Sequence, residues 1–243
     1  MAEINLISIS KNLKHFNFIN NWSMLMNNRL ANNKYLTVLL LGPLVLLLPL
    51  AMDIYVPAIP ELINIFKTTP MQMQYTLSLF LIIVSVGQLI MGPLSDQWGR
   101  IKPALLSIFI FIIGSILSMF TASVFQLLLC RSVQAIGACG AYVIAFAIIR
   151  DQFDGKESAE VFAYINGMLA VSPVIGPIIG SALDMRFGWQ AEFGALAVAG
   201  ILALIAMLIQ HETLAISSRR PITRALFKRY IDILLHTLLS ICL

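Results

Sequence analysis

The sequence predicts an all-α integral membrane protein of six membrane-spanning helices followed by a partial seventh. Three observations carry this prediction. Only 12% of the 243 residues are charged, about half the share of a soluble domain. The mean hydropathy is +0.87, more apolar surface than one aqueous core can hide. The apolar residues gather into six runs, each near the roughly 20 residues that cross a bilayer.

In chain order, residues 1–35 mix Asn, Lys and apolar side chains and read as a cytoplasmic N-terminal segment. They lack the compact apolar core and small-residue cleavage site of a secretory signal. Met24 and Met26 offer starts downstream of Met1. A six-helix bundle is expected over residues 36–210, with spans at Leu36–Ala58, Tyr75–Leu94, Ala104–Ala122, Phe125–Ile149, Val161–Leu183 and Phe193–Ile209. Their connections are short, so successive helices run antiparallel. Asp184 to Glu192 is read as a polar turn with an interfacial tryptophan, Trp189. Residues 211–230 form a basic cytoplasmic linker, and residues 231–243 are apolar for only about half a span.

Charge sets the expected orientation. With the N-terminus inside, thirteen lysines and arginines are cytoplasmic, from Lys11 to Arg229, and only Lys67 and Arg186 lie outside. Arg131 is left within the membrane. The excess of basic residues inside is the bias that orients membrane proteins. It also accounts for the net charge of +4, and the basic residues form no stripe suited to nucleic acid. Cys130, Cys139 and Cys242 show no metal-ligand spacing and read as small packing residues. No nucleotide loop, metal cluster or nucleophile–base set is present, so no enzyme is expected. No cofactor is expected either, beyond a proton gradient.

Two ionisable residues fall inside spans. Asp53 and Arg131 each lie six or seven residues from a helix end, about 10 Å deep. Charge there marks a functional candidate; snorkelling to the interface is the alternative. Arg131, Gln134, Ala138 and Tyr142 share one helical face. That set reads as the wall of a wet cavity. Asp53 is the candidate proton-carrying carboxylate: positive charge lowers such a pKa and desolvation raises it. A static Asp53–Arg131 pair is the structural alternative. In the fifth span, Pro173 and Pro177 interrupt the hydrogen-bond ladder. Gly176, Gly180 and Ser181 permit close approach of a neighbour.

Several of these segments resemble signatures of the major facilitator superfamily. Gly92-Pro-Leu-Ser-Asp-Gln-Trp-Gly-Arg-Ile-Lys102 resembles the loop between its second and third helices, G-x-L-[SAD]-D-[RK]-x-G-[RK]-[RK]. Gln97 and Ile101 depart from two of its basic positions. Gly92 and Gly99 are expected to keep this turn tight. The Arg-x-x-Gln-Ala-x-Gly-Ala run from Arg131 resembles the fourth-helix signature of proton-coupled members. Ser172 to Ser181 resembles the antiporter signature G-x-x-x-G-P-x-x-G-G, with serines at two of its glycines. Met52 to Pro60 and His-Glu-Thr-Leu214 are similar to segments of the Bcr/CflA drug-efflux branch.

The resemblance implies the N-terminal six-helix bundle of the major facilitator fold, one half of a transporter, in a bacterial inner membrane. It implies drug:proton antiport, with Asp53, Arg131, Gln134 and Tyr142 in the proton and substrate cavity. It implies a conformational latch of Gly92, Asp96, Gly99, Arg100 and Asp151. A solvated ion pair is the plainer reading of that cluster. The expected partners are the bilayer, a small amphipathic drug-like substrate, and a separately encoded second half or a second copy. A non-transporting fragment and a small-metabolite transporter are the competing readings.

Overall fold

Apolar runs fold as helices in a bilayer because every backbone polar group must find a partner within its own segment. In the computed structural model, which describes residues 33–210 and 212–214, six helical spans follow one another. The first comprises α1 (Lys34–Asp53), a 3-10 turn (Val56–Ala58) and α2 (Ile59–Ile65). The others are α3 (Pro70–Trp98), α4 (Ile101–Met119), α5 (Val124–Gln152), α6 (Gly155–Phe187) and α7 (Gln190–Ile209). The expected N-terminal segment up to residue 32, the linker beyond residue 214 and the partial seventh helix lie outside the described residues.

Local chemistry sets the helix ends and explains why several overrun the apolar runs. Thr69 accepts from the Gln72 amide, and the Gln72 side chain accepts from the Thr69 amide. This capping box, with Pro70 in the first turn, starts α3 five residues before Tyr75. At its other end α3 continues to Trp98, so Gly92 and Asp96 lie inside the helix rather than in a loop. A side chain at Gly92 would meet open space, which corrects the expectation that this glycine tightens a turn. Gly99, at φ 89°, does so. Ser123 caps α5 by accepting from Gln126. The first span breaks after Asp53, where Pro57 and Pro60 have no N–H to continue the ladder.

The fourth span, α5, is the centre of the bundle, with 67% of its apolar window buried. It packs against α4, α3 and α1, while α7 lies on α4 and α1, and α6 on α1. Glycines let α4 and α5 approach closely: a Cβ at Gly137 would strike the Phe111 backbone, and one at Gly114 the Gln134 backbone. By contrast α3 and α6 are only 11% and 17% buried. The alternation of helices gathers Lys34, Arg100, Asp151 and Glu160 at one end of the bundle. Glu61, Lys67, Asp184 and Glu192 gather at the other.

Candidate functional site

The buried guanidinium of Arg131 is held by the end of another helix. Where α1 stops at Asp53, its last carbonyls have no donor within the helix. Ile54 N–H takes the Leu50 carbonyl. Arg131 Nη1 donates to the Ala51 carbonyl at 2.7 Å and to Gln134 Oε1 at 2.9 Å. Gln134 Nε2 then donates to Ser115 Oγ at 2.8 Å, and Ser115 Oγ donates to the Phe111 carbonyl. The guanidinium carbon lies 4.5 Å from the ring centroids of both Tyr55 and Phe80, and 6.0 Å from that of Phe193. Desolvated cation–π contacts of this kind contribute about 2 kcal/mol. Tyr55 is itself fixed: its hydroxyl donates to Thr76 Oγ1 at 3.0 Å, since the Thr76 proton goes to the Met73 carbonyl. The negative end of α1 adds to this attraction.

This geometry revises the expected cavity wall. Arg131, Gln134 and Ala138 are 1%, 0% and 0% exposed, sealed between α5 and its neighbours rather than facing an open cavity. They share a helical face, as expected, but that face meets α1, α3 and α4. Tyr142 is not brought to Arg131. Its ring lies 4.8 Å from Phe146, which stacks on Phe162. Together with Val143 and Arg150 they line a separate cavity of about 280 Å³.

Asp53 pairs with α6, not with Arg131. Ser172 Oγ donates to Asp53 Oδ2 at 2.7 Å, and no Asp53–Arg131 ion pair forms among the described residues. The contact is close because a Cβ at Gly176 would strike Asp53 Cβ, and one at Gly180 the Ile54 carbonyl. Pro173 and Pro177 lie in the same stretch of α6, and the ring of Pro177 leaves the Pro173 carbonyl without its helical donor. Ser181 is exposed and makes no such approach. The Asp53 carboxylate and the Pro/Gly stretch thus form one site. A largely apolar groove of about 570 Å³ runs beside it, lined by Leu50, Met168, Ser172, Ile175 and Ile179 among others. Arg131 and Ser172 therefore hold the same end of α1 from two sides, at Ala51 and Asp53, two residues apart.

At the opposite end Arg100 gathers the second cluster. Its Nε donates to Asp151 Oδ2 at 2.7 Å, and its Nη1 to Asp96 Oδ1 at 2.6 Å and Ser95 Oγ at 2.7 Å. Arg100 is only 6% exposed, which sets this cluster apart from a solvated ion pair. Burial alone would lower the Arg100 pKa, but the hydrogen bonds of Asp151 and Asp96 outweigh it and raise the pKa above its ordinary value. Glu212 completes the cluster: its carboxylate accepts from the Arg100 amide at 2.7 Å and the Ile101 amide at 3.3 Å. Those amides open α4, where orphan donors and the helix dipole favour an anion.

Sequence reasoning missed three participants. Glu212 lies in the recognised His-Glu-Thr-Leu run, but nothing local shows which helix it meets. Ser115 carries no sequence signal at all. Glu192, placed in a polar turn, is instead in the first turn of α7 and wholly buried. Gly188 at φ 80° ends the preceding helix, and that glycine is the signal that α7 starts before Glu192.

Comparison with known proteins agrees with this architecture. The profile of the Major Facilitator Superfamily matches residues 41–240. A chloramphenicol resistance protein of Pseudomonas aeruginosa is 40% identical over 169 residues, 69% of this chain and 40% of that protein. The multidrug resistance protein MdtL of Shewanella sp. (strain ANA-3) is 34% identical over 171 residues, 70% of this chain and 43% of that protein. An uncharacterised MFS-type transporter of Bacillus subtilis, YdgK, is 33% identical over 200 residues, 81% and 50% of the two. The chain thus spans about half the length of the curated relatives it matches. Among solved structures, the human organic anion transporter MFSD10 aligns at a TM-score of 0.64 and 18% identity, over 78% of this chain and 50% of that one. At that identity the likeness speaks for the fold. With the profile covering most of its length and six spans arranged as in these transporters, the chain belongs to the Major Facilitator Superfamily of membrane transporters.

Proposed function

We propose that this bundle is the N-terminal half of a proton-coupled drug exporter in a bacterial inner membrane, with its N-terminus cytoplasmic. The observation that carries the reading is the two-sided grip on the end of α1. Asp53, an intramembrane carboxylate, binds Ser172 of α6 beside an apolar groove. Two residues earlier, the Ala51 carbonyl binds the buried Arg131. Protonating Asp53 removes the charge that Ser172 solvates, so α1 and α6 are free to shift against each other. Arg131 holds the other side of that helix end in place. An amphipathic drug in the groove competes with the proton for the same carboxylate. The drug-resistance names of the relatives support a drug as substrate.

Alternating access in this fold needs one bundle to rock against another around a central site. The little-buried faces of α3 and α6 are the faces a second six-helix bundle would cover, whether encoded separately or supplied by a second copy. The test is drug efflux from cells, with that second bundle present. Asp53→Asn and Arg131→Ala are expected to abolish efflux at normal expression. Full export by both variants would refute the reading.

A further inference from the structure

Among the described residues, one acid is wholly buried and is not used by the Asp53–Arg131 arrangement. Glu192 is 0% exposed, and neither of its carboxylate oxygens has a hydrogen-bond partner among the described residues. It sits in the first turn of α7, between the aromatic residues Trp189 and Phe193 in the chain. Trp189 packs edge-on against both Phe66 and Phe193, at 5.8 and 6.1 Å. Phe193, the next residue, reaches the cage around Arg131.

The groups that face Glu192 electrostatically are Asp184 of α6, Glu61 of α2, Arg131 of α5 and Tyr55. Glu61 and Asp184 interact electrostatically with each other as well as with Glu192. The three acids are graded in burial: Glu61 is exposed, Asp184 half-buried and Glu192 sealed. Among the described residues, no three His, Cys, Asp or Glu side chains converge as a metal site would require. A buried ionised carboxylate without hydrogen bonds costs several kcal/mol, and the cheapest relief is to take up a proton.

We propose that Glu192 is a second proton-binding site of this protein, at the end of the bundle opposite Arg100. The Glu61–Asp184 pair passes protons between water and its carboxylate. The ligand is a proton taken from water onto a Glu192 Oε and returned by the same route. This deepens the proton-coupled reading and rests on it for the use made of the proton; the binding itself does not depend on transport.

The test is infrared spectroscopy of the purified full chain in lipid nanodiscs, titrated from about pH 5 to about pH 10, where buried glutamates change state. A protonated-carboxyl band is expected that shifts in deuterated water and disappears during the titration. It should be missing in Glu192→Gln and present in Asp53→Asn. Its midpoint should move when Glu61→Gln and Asp184→Asn are combined, a variant that leaves Glu192 in place. A band that survives in Glu192→Gln, or the absence of a titrating band from the unsubstituted chain, would overturn the proposal. In an exporting assembly, Glu192→Gln is expected to displace the pH profile of efflux, and an unchanged profile would overturn the role in coupling. An unsubstituted assembly that shows the titrating band but exports no drug would count against the antiporter reading alone.

Discussion

Gly180 and Gly92 provide a controlled test of the packing that holds the Asp53 site. Both lie inside helices, so a change to alanine brings the same gain in helix propensity, about 0.8–1 kcal/mol. They differ in what the added methyl meets. At Gly92 nothing lies within 4 Å. At Gly180 the new carbon would strike the Ile54 carbonyl, with the Ile54 backbone immediately behind it. A flexible side-chain tip could turn aside, but backbone cannot. The end of α1 must therefore move, carrying Asp53 and the Ala51 carbonyl with it. Overpacking of this kind costs about 1–3 kcal/mol. The difference between the two variants should therefore be about 1–3 kcal/mol, with Gly180→Ala the less stable and Gly92→Ala at least as stable as the parent. Thermal unfolding of both in nanodiscs, followed by cysteine accessibility at Cys139, measures that difference. Equal midpoints would show that α1 does not lie against Gly180 and would remove the geometric basis for the Asp53–Ser172 contact.

Other consequences follow from the same contacts. Arg131→Lys keeps the charge but presents a point donor in place of a planar fork, so it loses one of the bonds to Ala51 and Gln134, worth about 1.5–3 kcal/mol for a charged donor; unchanged thermal stability would contradict the observed network. Glu212→Gln removes the anion at the start of α4 and should cost about 0.3–1 kcal/mol. Because Glu212 is exposed, the loss should shrink as salt is raised; a salt-independent loss would show that charge is not the cause. A single cysteine at Ser218 should resist impermeant thiol reagents applied outside intact cells and react after permeabilisation; labelling from outside would invert the proposed orientation.

The number and order of the spans are properties of composition alone. About 20 apolar residues cross a bilayer whatever their neighbours are, so each run could be found without knowing what it packs against. The depth of Asp53 and Arg131 was legible for the same reason, as was the grouping of Asp96, Arg100 and Asp151 at one end, because helix length fixes depth. Gly176 and Gly180 were legible as points of close approach, since only a missing side chain permits one.

What tertiary structure alone decided is which way each helix faces and what stands opposite. Arg131, Gln134 and Tyr142 share a stripe on α5, but the stripe meets different neighbours along its length. Arg131 is therefore sealed against α1, whereas Tyr142 lines a separate cavity. The partner of Asp53 is a serine 119 positions away, and that of the Arg100 amide a glutamate 112 positions away. No local pattern encodes such separations. Glu192 shows the same limit most plainly. In sequence it is a polar residue of a turn, and only the packed bundle makes it a buried acid without a hydrogen-bond partner among the described residues.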